Sequence, residues 1–271
     1  MKQKKVVFGD SEIVEFCRTT LDTNEIHDPA YMAKLGKRVI VPGLFVLSQT
    51  ASLSVDFLKN HACSLKVLFN SLLSSGDVVT LRSSSSKGNP SEVRLSAINR
   101  TDTMTLKDDY TRLSVKETRF KSDHQGILRR LEVTKEQIEK FKRLIGTEDR
   151  DVANFLFAVS YASHASLMSI EKPETEIEIE IKETISKDPG ISPFYHSIEI
   201  HIPSPFPVFN PVGELDYFIH FEREKPFKVY GVYVRCEHHG YLVFNAYYNL
   251  LGIDCGLILR MAKAIKENSA E

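Results

Sequence analysis

The sequence has almost no net charge: 35 basic side chains stand against 36 acidic ones over 271 residues. That leaves no long-range field to draw in nucleic acid or an anionic membrane, and neither is expected as a partner. Cysteine is scarce. The four present, Cys17, Cys63, Cys236 and Cys255, are scattered without metal-type spacing, so free thiols in a reducing cytoplasm are the expectation. Long apolar runs are also missing. The most apolar stretch, Val39 to Leu58, is broken by Pro42, Gly43, Ser48, Gln49, Thr50, Ser52, Ser54 and Asp56, too many polar groups for a lipid-facing span. It reads as a helix buried in protein. Met1-Lys2-Gln3-Lys4-Lys5 leads into no apolar signal-peptide core. There is no phosphate-binding glycine loop, no Cys/His metal spacing and no serine elbow, so neither a metal nor a cofactor is expected.

What is there is a repeat. Val6-Val7-Phe8-Gly9-Asp10-Ser11-Glu12-Ile13-Val14-Glu15-Phe16 resembles Leu131-Glu132-Val133-Thr134-Lys135-Glu136-Gln137-Ile138-Glu139-Lys140-Phe141 at a constant offset of 125, since 141 − 16 = 138 − 13 = 125. Each copy is an apolar strand followed by a helix start. Asp10 or Ser11 in the first copy, and Thr134 in the second, can accept hydrogen bonds from the first-turn amides, with Glu12 and Glu136 favoured there by the dipole. Both copies then contain a small-residue helix that is apolar around its circumference, Pro42 to Leu53 and Asn154 to Leu167, and such helices must be enclosed. Phe16 to Ala51 is 35 residues and Phe141 to Ala165 is 24, so the second copy lacks 11 residues between its short helix and its long one.

After each buried helix the chain turns to short alternating runs. These are Leu65 to Phe69, Val78 to Ser83, Val93 to Ile98 and Thr111 to Glu117 in the first copy. In the second they are Ile177 to Ile181, Ile198 to Ile202, Tyr217 to Phe221, Val229 to Cys236 and Tyr241 to Tyr248. Strands of this kind pair antiparallel. The predicted fold is α+β, a curved antiparallel sheet wrapped around a central helix in each copy. The polar segment Lys121 to Gly126 marks the boundary, giving units 1–121 and 126–271, and Leu257 to Lys266 reads as an amphipathic helix. Several conspicuous residues have plain structural readings. His238-His239 before Gly240 reads as a hairpin tip, His164 as a satisfied core histidine, and Glu176 to Ile181 as a strand with one wet face. Ser83 to Pro90 reads as a turn, and Pro203 to Pro207 as an edge or rim.

Between the first short helix and the buried helix lies Asp22-Thr23-Asn24-Glu25-Ile26-His27. Over residues 5 to 58 the chain resembles the MaoC-like (R)-specific enoyl-thioester hydratases and dehydratases of the hotdog superfamily, which have a strand, a short helix, a loop Asp-x-Asn-x-x-His and a Gly that opens the central helix. Asp22, Asn24, His27 and Gly43 fill those positions. Four places depart from the family's pattern. Leu21 stands for the usual Gly, Glu25 for the usual Pro, Pro42 for a frequent His, and His27 and Asp28 are one residue closer than usual. If the family Gly has a positive φ, Leu21 resists it.

The resemblance implies two tandem hotdog folds with catalysis in the first. Asp22 and His27 would hold and activate the water that adds across the 2,3 double bond of an enoyl thioester, or serve the reverse elimination. Asn24 would order the loop or bind the Asp22 carboxylate. The thioester oxygen gains charge as an enolate forms, and a free amide at the start of a buried helix meets that need. Gly43 is the candidate, bare enough for close approach, with Pro42 and Leu44 beside it. The 125 offset sets Thr147 opposite Asp22, Asp149 opposite Asn24 and Val152 opposite His27. The second copy therefore lacks the acid/base pair and is structural or supplies the acyl pocket. The substrate would be a thioester of CoA or acyl carrier protein, and the chain a monomeric pseudo-dimer or a homodimer. A thioesterase and a non-catalytic acyl-thioester-binding subunit are the alternatives, since fold does not fix function.

Overall fold

The computed structural model describes residues 2–60, 63–69, 72–86, 89–99, 111–114, 126–187, 191–224 and 229–254. The chain begins with β1 (Lys2–Val7), α1 (Asp10–Thr20), α2 (Pro29–Lys34), α3 (Gly43–Ala51) and α4 (Val55–Asn60). Four strands follow: β2 (Cys63–Leu68), β3 (Val78–Ser86), β4 (Asn89–Asn99) and β5 (Thr111–Ser114). The pattern then restarts with β6 (Ile127–Val133), α5 (Lys135–Ile145), α6 (Arg150–Glu171) and α7 (Glu176–Lys187). It closes with β7 (Ile191–Ile202), β8 (Gly213–Glu224), β9 (Val229–His238) and β10 (Tyr241–Asp254).

All ten described strands join one sheet in the order β1-β3-β4-β5-β2-β7-β10-β9-β8-β6, each neighbouring pair antiparallel. Read inward from either edge, the succession is the same, and β2 meets β7 at the centre with Leu65 opposite Ile200. The helices the sheet wraps are enclosed as their sequences require. Phe45, Leu47, Ser48, Thr50 and Ala51 of α3 are buried, as is nearly the whole of α6 from Val152 to Ile170. Like residues meet where the two copies touch. Phe45 stacks on Phe16 (ring centroids 4.5 Å apart), Phe16 faces Phe141 (5.9 Å), and Phe141 packs edge-on against Phe157 (5.4 Å). Ser48 Oγ lies 3.1 Å from Ser160 Oγ. The touching pair Ser48/Ser160 is 112 residues apart (160 − 48), against 125 for Phe16/Phe141.

Local chemistry corrects several expectations. Glu176 to Ile181 is helical, within α7. Its Glu/Ile alternation has period two, but Thr175 Oγ1 accepts from the Glu178 amide at 3.2 Å while Glu178 Oε2 accepts from the Thr175 amide at 2.9 Å. That reciprocal capping box starts a helix, and Glu is a good helix former. The cap of α1 is Gly9, whose amide donates to Glu12 Oε2 at 3.0 Å, rather than Asp10 or Ser11. Thr134 caps α5 as its sequence predicts, accepting from the Gln137 amide at 3.2 Å. Ser83 to Ser86 belong to β3, and β4 starts at Asn89. Phe206, in the proline-rich segment, turns inward against Phe155 with centroids 5.3 Å apart. His239 and Gly240, at φ 51° and 78°, form the two-residue hairpin turn between β9 and β10. The boundary segment 121–125, residues 115–117 and the C-terminal segment 257–266 lie outside the described residues.

Candidate active site

The site is built by what happens after α1. At its end Leu21 takes the left-handed conformation (φ 53°, ψ 34°), and the Asp22 amide donates back to the Cys17 carbonyl at 2.9 Å. The position does demand a positive φ, and Leu adopts it, at a cost of about 1–2 kcal/mol for a residue with a Cβ. The turn delivers Asp22 inward with its side chain 11% exposed. Asp22 Oδ1 accepts from the Asn24 amide at 3.1 Å, and Asn24 Oδ1 in turn accepts from the Ile26 amide at 3.4 Å, starting a 3₁₀ turn over Glu25–His27. Asn24 thus orders the loop through its own backbone and side chain. Asp28 caps α2 by accepting from the Ala30 amide at 2.8 Å, so it has a structural task.

The 3₁₀ turn points His27 back at Asp22. His27 Nδ1 lies 2.7 Å from the Ile40 carbonyl oxygen. A carbonyl only accepts, so Nδ1 carries the proton, and in the neutral ring Nε2 is an acceptor. Nε2 is 3.9 Å from Asp22 Oδ2, with both side chains nearly buried. That separation is too long for a direct hydrogen bond. Both residues line a cavity of about 60 Å³, together with Asn24, with Pro42, Gly43 and Leu44 at the start of α3, and with Phe69. A polar cavity of this size has room for ordered water. A larger groove of about 650 Å³ runs between α1 and α5, lined by Asp10, Glu15, Arg18, Glu136 and Lys140 among others. Its charges are mixed, and no histidine lines it to pair with its carboxylates.

The start of α3 contributes amides. The Phe45 and Val46 amides already bond the Pro42 carbonyl, at 3.0 and 3.2 Å, while those of Gly43 and Leu44 fall in the first turn, where no acceptor exists within the helix. The reason for glycine at 43 differs from the sequence expectation. A Cβ there would meet Phe69 Cε1 at 2.6 Å, so the space beside the bare Cα belongs to the Phe69 ring rather than to an approaching ligand.

The far wall comes from the second copy: Ser163 and Leu167 of α6 and Tyr195 of β7. None of these three, nor Phe69, was singled out as a site residue from sequence. Ser163 and Leu167 lie in the small-residue helix, whose pattern signals burial alone. His164, read from sequence as a satisfied core residue, is not satisfied. Its ring stacks on Tyr161 (centroids 5.7 Å, 24°), and its buried Nδ1 has no hydrogen-bond partner among the described residues. Burial pulls its pKa below the usual histidine range, opposed by Glu171, the Leu21 carbonyl and Asp22. The Cys17 thiol is pushed up by burial and then by the Asp22 charge, which makes it inert. No group of three or more metal-ligating side chains occurs among the described residues, and no described helix is long and apolar enough to cross a membrane.

No family model matches the chain, and no curated protein matches it in sequence. Solved structures do. A MaoC-like dehydratase superposes with a TM-score of 0.53 at 11% identity, covering 93% of this chain and 97% of its own. A MaoC-like dehydratase from Phytophthora capsici gives 0.50 at 10% identity, over 93% and 96%. The bifunctional dehydratase-cyclase domain of ambruticin biosynthesis gives 0.52 at 10%, over 96% and 93%. At such identities the likeness is one of fold: this chain has the mixed helix and antiparallel-sheet hotdog fold of these proteins along nearly its whole described length.

Proposed function

We propose that the chain hydrates trans-2-enoyl thioesters, or dehydrates the corresponding (R)-3-hydroxyacyl thioesters, at the cavity between Asp22, His27 and the start of α3. The observation that carries this is the convergence of an imidazole Nε2 and a carboxylate oxygen, 3.9 Å apart, on one cavity beside the first turn of α3. Two acceptors at that separation are bridged by one water giving a proton to each. Hydration forms the C3–O bond from that water; the proton it gives up passes to the Asp22/His27 pair and is delivered at C2, so the pair ends as it began. The electron pair of the double bond moves meanwhile toward the thioester oxygen, where the Gly43 or Leu44 amide and the positive end of α3 stabilise the enolate. Elimination is the same path reversed. The structural neighbours' names, dehydratases and a dehydratase-cyclase, support the reading.

In this reading the units are 1–121, which carries the acid/base pair, and 126–271, which supplies the far wall. The chain contains within itself the pairing for which a single hotdog needs a partner. The thioester is carried on CoA or on acyl carrier protein. The described free thiols of Cys17 and Cys236 suit a reducing cytoplasm. The test is hydration of crotonyl-CoA by wild type, Asp22→Asn and His27→Ala. Both variants should stay folded and lose turnover. Release of free thiol would instead identify a thioesterase, and tight acyl-CoA binding without product a non-catalytic binder.

A further inference from the structure

The alternation of β7 puts Ile198, Ile200 and Ile202 on the buried face. Continued without interruption, it would send Tyr195 to the opposite face. The register prevents this. Asn249 of β10 is opposite Ser197, but the next residue, Leu250, is opposite Tyr195, leaving His196 as an extra residue in β7. One inserted residue reverses the facing of everything beyond it. Tyr195 therefore returns to the inner face, its ring centroid 5.0 Å from that of fully buried Tyr248, which is itself opposite Ile198. The Ser163 hydroxyl donates to the Tyr195 oxygen at 3.4 Å, and both residues line the cavity of Asp22 and His27. Burial pushes the phenol pKa up to about 12, Ser163 opposing and the Asp22 charge adding to the rise. Tyr195 is thus a proton donor throughout the neutral range, with its own proton not used by Ser163.

Asp22 Oδ2 and His27 Nε2 both accept, so a water between them gives them both its protons and leaves its oxygen open to a donor. We propose that Tyr195 is that donor, a specificity-determining residue that recognises an oxygen at C3 of a short acyl thioester. The assignment rests on the hydratase/dehydratase reading. It makes the cavity selective for 3-hydroxyacyl groups over saturated ones of the same length, because a half-buried phenol built to give a hydrogen bond loses it when the substrate oxygen is absent.

Calorimetric titration of the full chain with (R)-3-hydroxybutyryl-CoA and butyryl-CoA tests this. Wild type should bind the hydroxy form roughly three- to tenfold tighter. Tyr195→Phe should lower that preference at least twofold while binding butyryl-CoA as wild type does, and Ser163→Ala should lower it less, both with unchanged melting temperature. A preference undiminished by Tyr195→Phe, or no preference in wild type, overturns the proposal while crotonyl-CoA hydration by wild type would leave the functional reading standing. Failure of wild type to bind either thioester overturns both.

Discussion

The turn after α1 and the turn after α5 are the same device with opposite outcomes. Asp22 Oδ1 accepts from the amide of Asn24 at 3.1 Å, and 125 residues later Thr147 Oγ1 accepts from the amide of Asp149 at 3.3 Å. Asn24 caps a 3₁₀ turn through Ile26, and Asp149 caps α6 through the Val152 amide at 3.0 Å. After Asn24 the chain makes a detour of 18 residues (25–42) before α3 begins, whereas α6 begins directly after Asp149. The detour carries His27. It also starts the buried helix later: at the 112 offset Gly43 corresponds to residue 155, since 43 + 112 = 155, and Phe155 lies inside α6. There Phe155 packs on Phe206 (5.3 Å) and Phe244 (6.0 Å). The same framework therefore yields a lined cavity where the detour exists and a packed aromatic core where it does not.

The largest effect should come from the acid/base pair. Asp22→Asn and His27→Ala are expected to lower crotonyl-CoA hydration by about 10²–10⁴-fold, while Val152→Ala in the second copy leaves a folded protein with turnover within a few-fold of wild type. Equal losses in the two copies, measured by the fall in enoyl absorbance, would break the comparison. Next comes the plug. Phe155→Ala should cost about 3–5 kcal/mol in urea unfolding, the usual price of emptying a buried aromatic site; a loss below about 1 kcal/mol would show that the place is no core.

A smaller effect concerns the residues closing α1 and α5. Leu21 and Gly146 are 125 apart and both left-handed, at φ 53° and 66°. Gly146→Leu should destabilise by about 1–2 kcal/mol and Leu21→Gly stabilise by up to about 1 kcal/mol, the strain relieved being partly offset by the freer unfolded chain. Denaturant midpoints of the two variants moving in the same direction would refute the shared geometry. The smallest is the pH response of His164. Its folded pKa lies below its ordinary value near 6.5, so the unfolded chain takes up the proton first. The stability held by the neutral ring is complete above about pH 6.5 and drains away as pH falls from there toward the folded value. His164→Gln should flatten that part of the stability curve between pH 7 and 5.5, and an unaltered slope would assign it to other groups.

Much of this was legible in the residues. The 125 offset of Phe16 and Phe141 predicted a strand and helix start in each place; β1-α1 and β6-α5 carry them, and the two rings face each other in the core. The apolar circumference of α3 and α6 predicted enclosed helices, because a helix with no polar face has nowhere else to go. Asp22 and His27, five residues apart, stood out as a pair and do converge. Failures arose where a local pattern fits two structures: the Glu/Ile alternation of α7 has strand period, yet the Thr175/Glu178 box decides for helix. His164 was misread because a small-residue helix says nothing about whether one ring nitrogen finds a partner.

By itself, then, the sequence determined the repeat, the buried helices and the residue types that could exchange a proton, since these follow from periodicity and side-chain chemistry. Tertiary structure alone decided that Phe69 occupies the space beside Gly43, that α6 seals the second copy, and that Tyr195 faces inward. Each of these depends on register and long-range packing: one unpaired residue at His196 reverses a side chain's direction, and no spacing within β7 announces it.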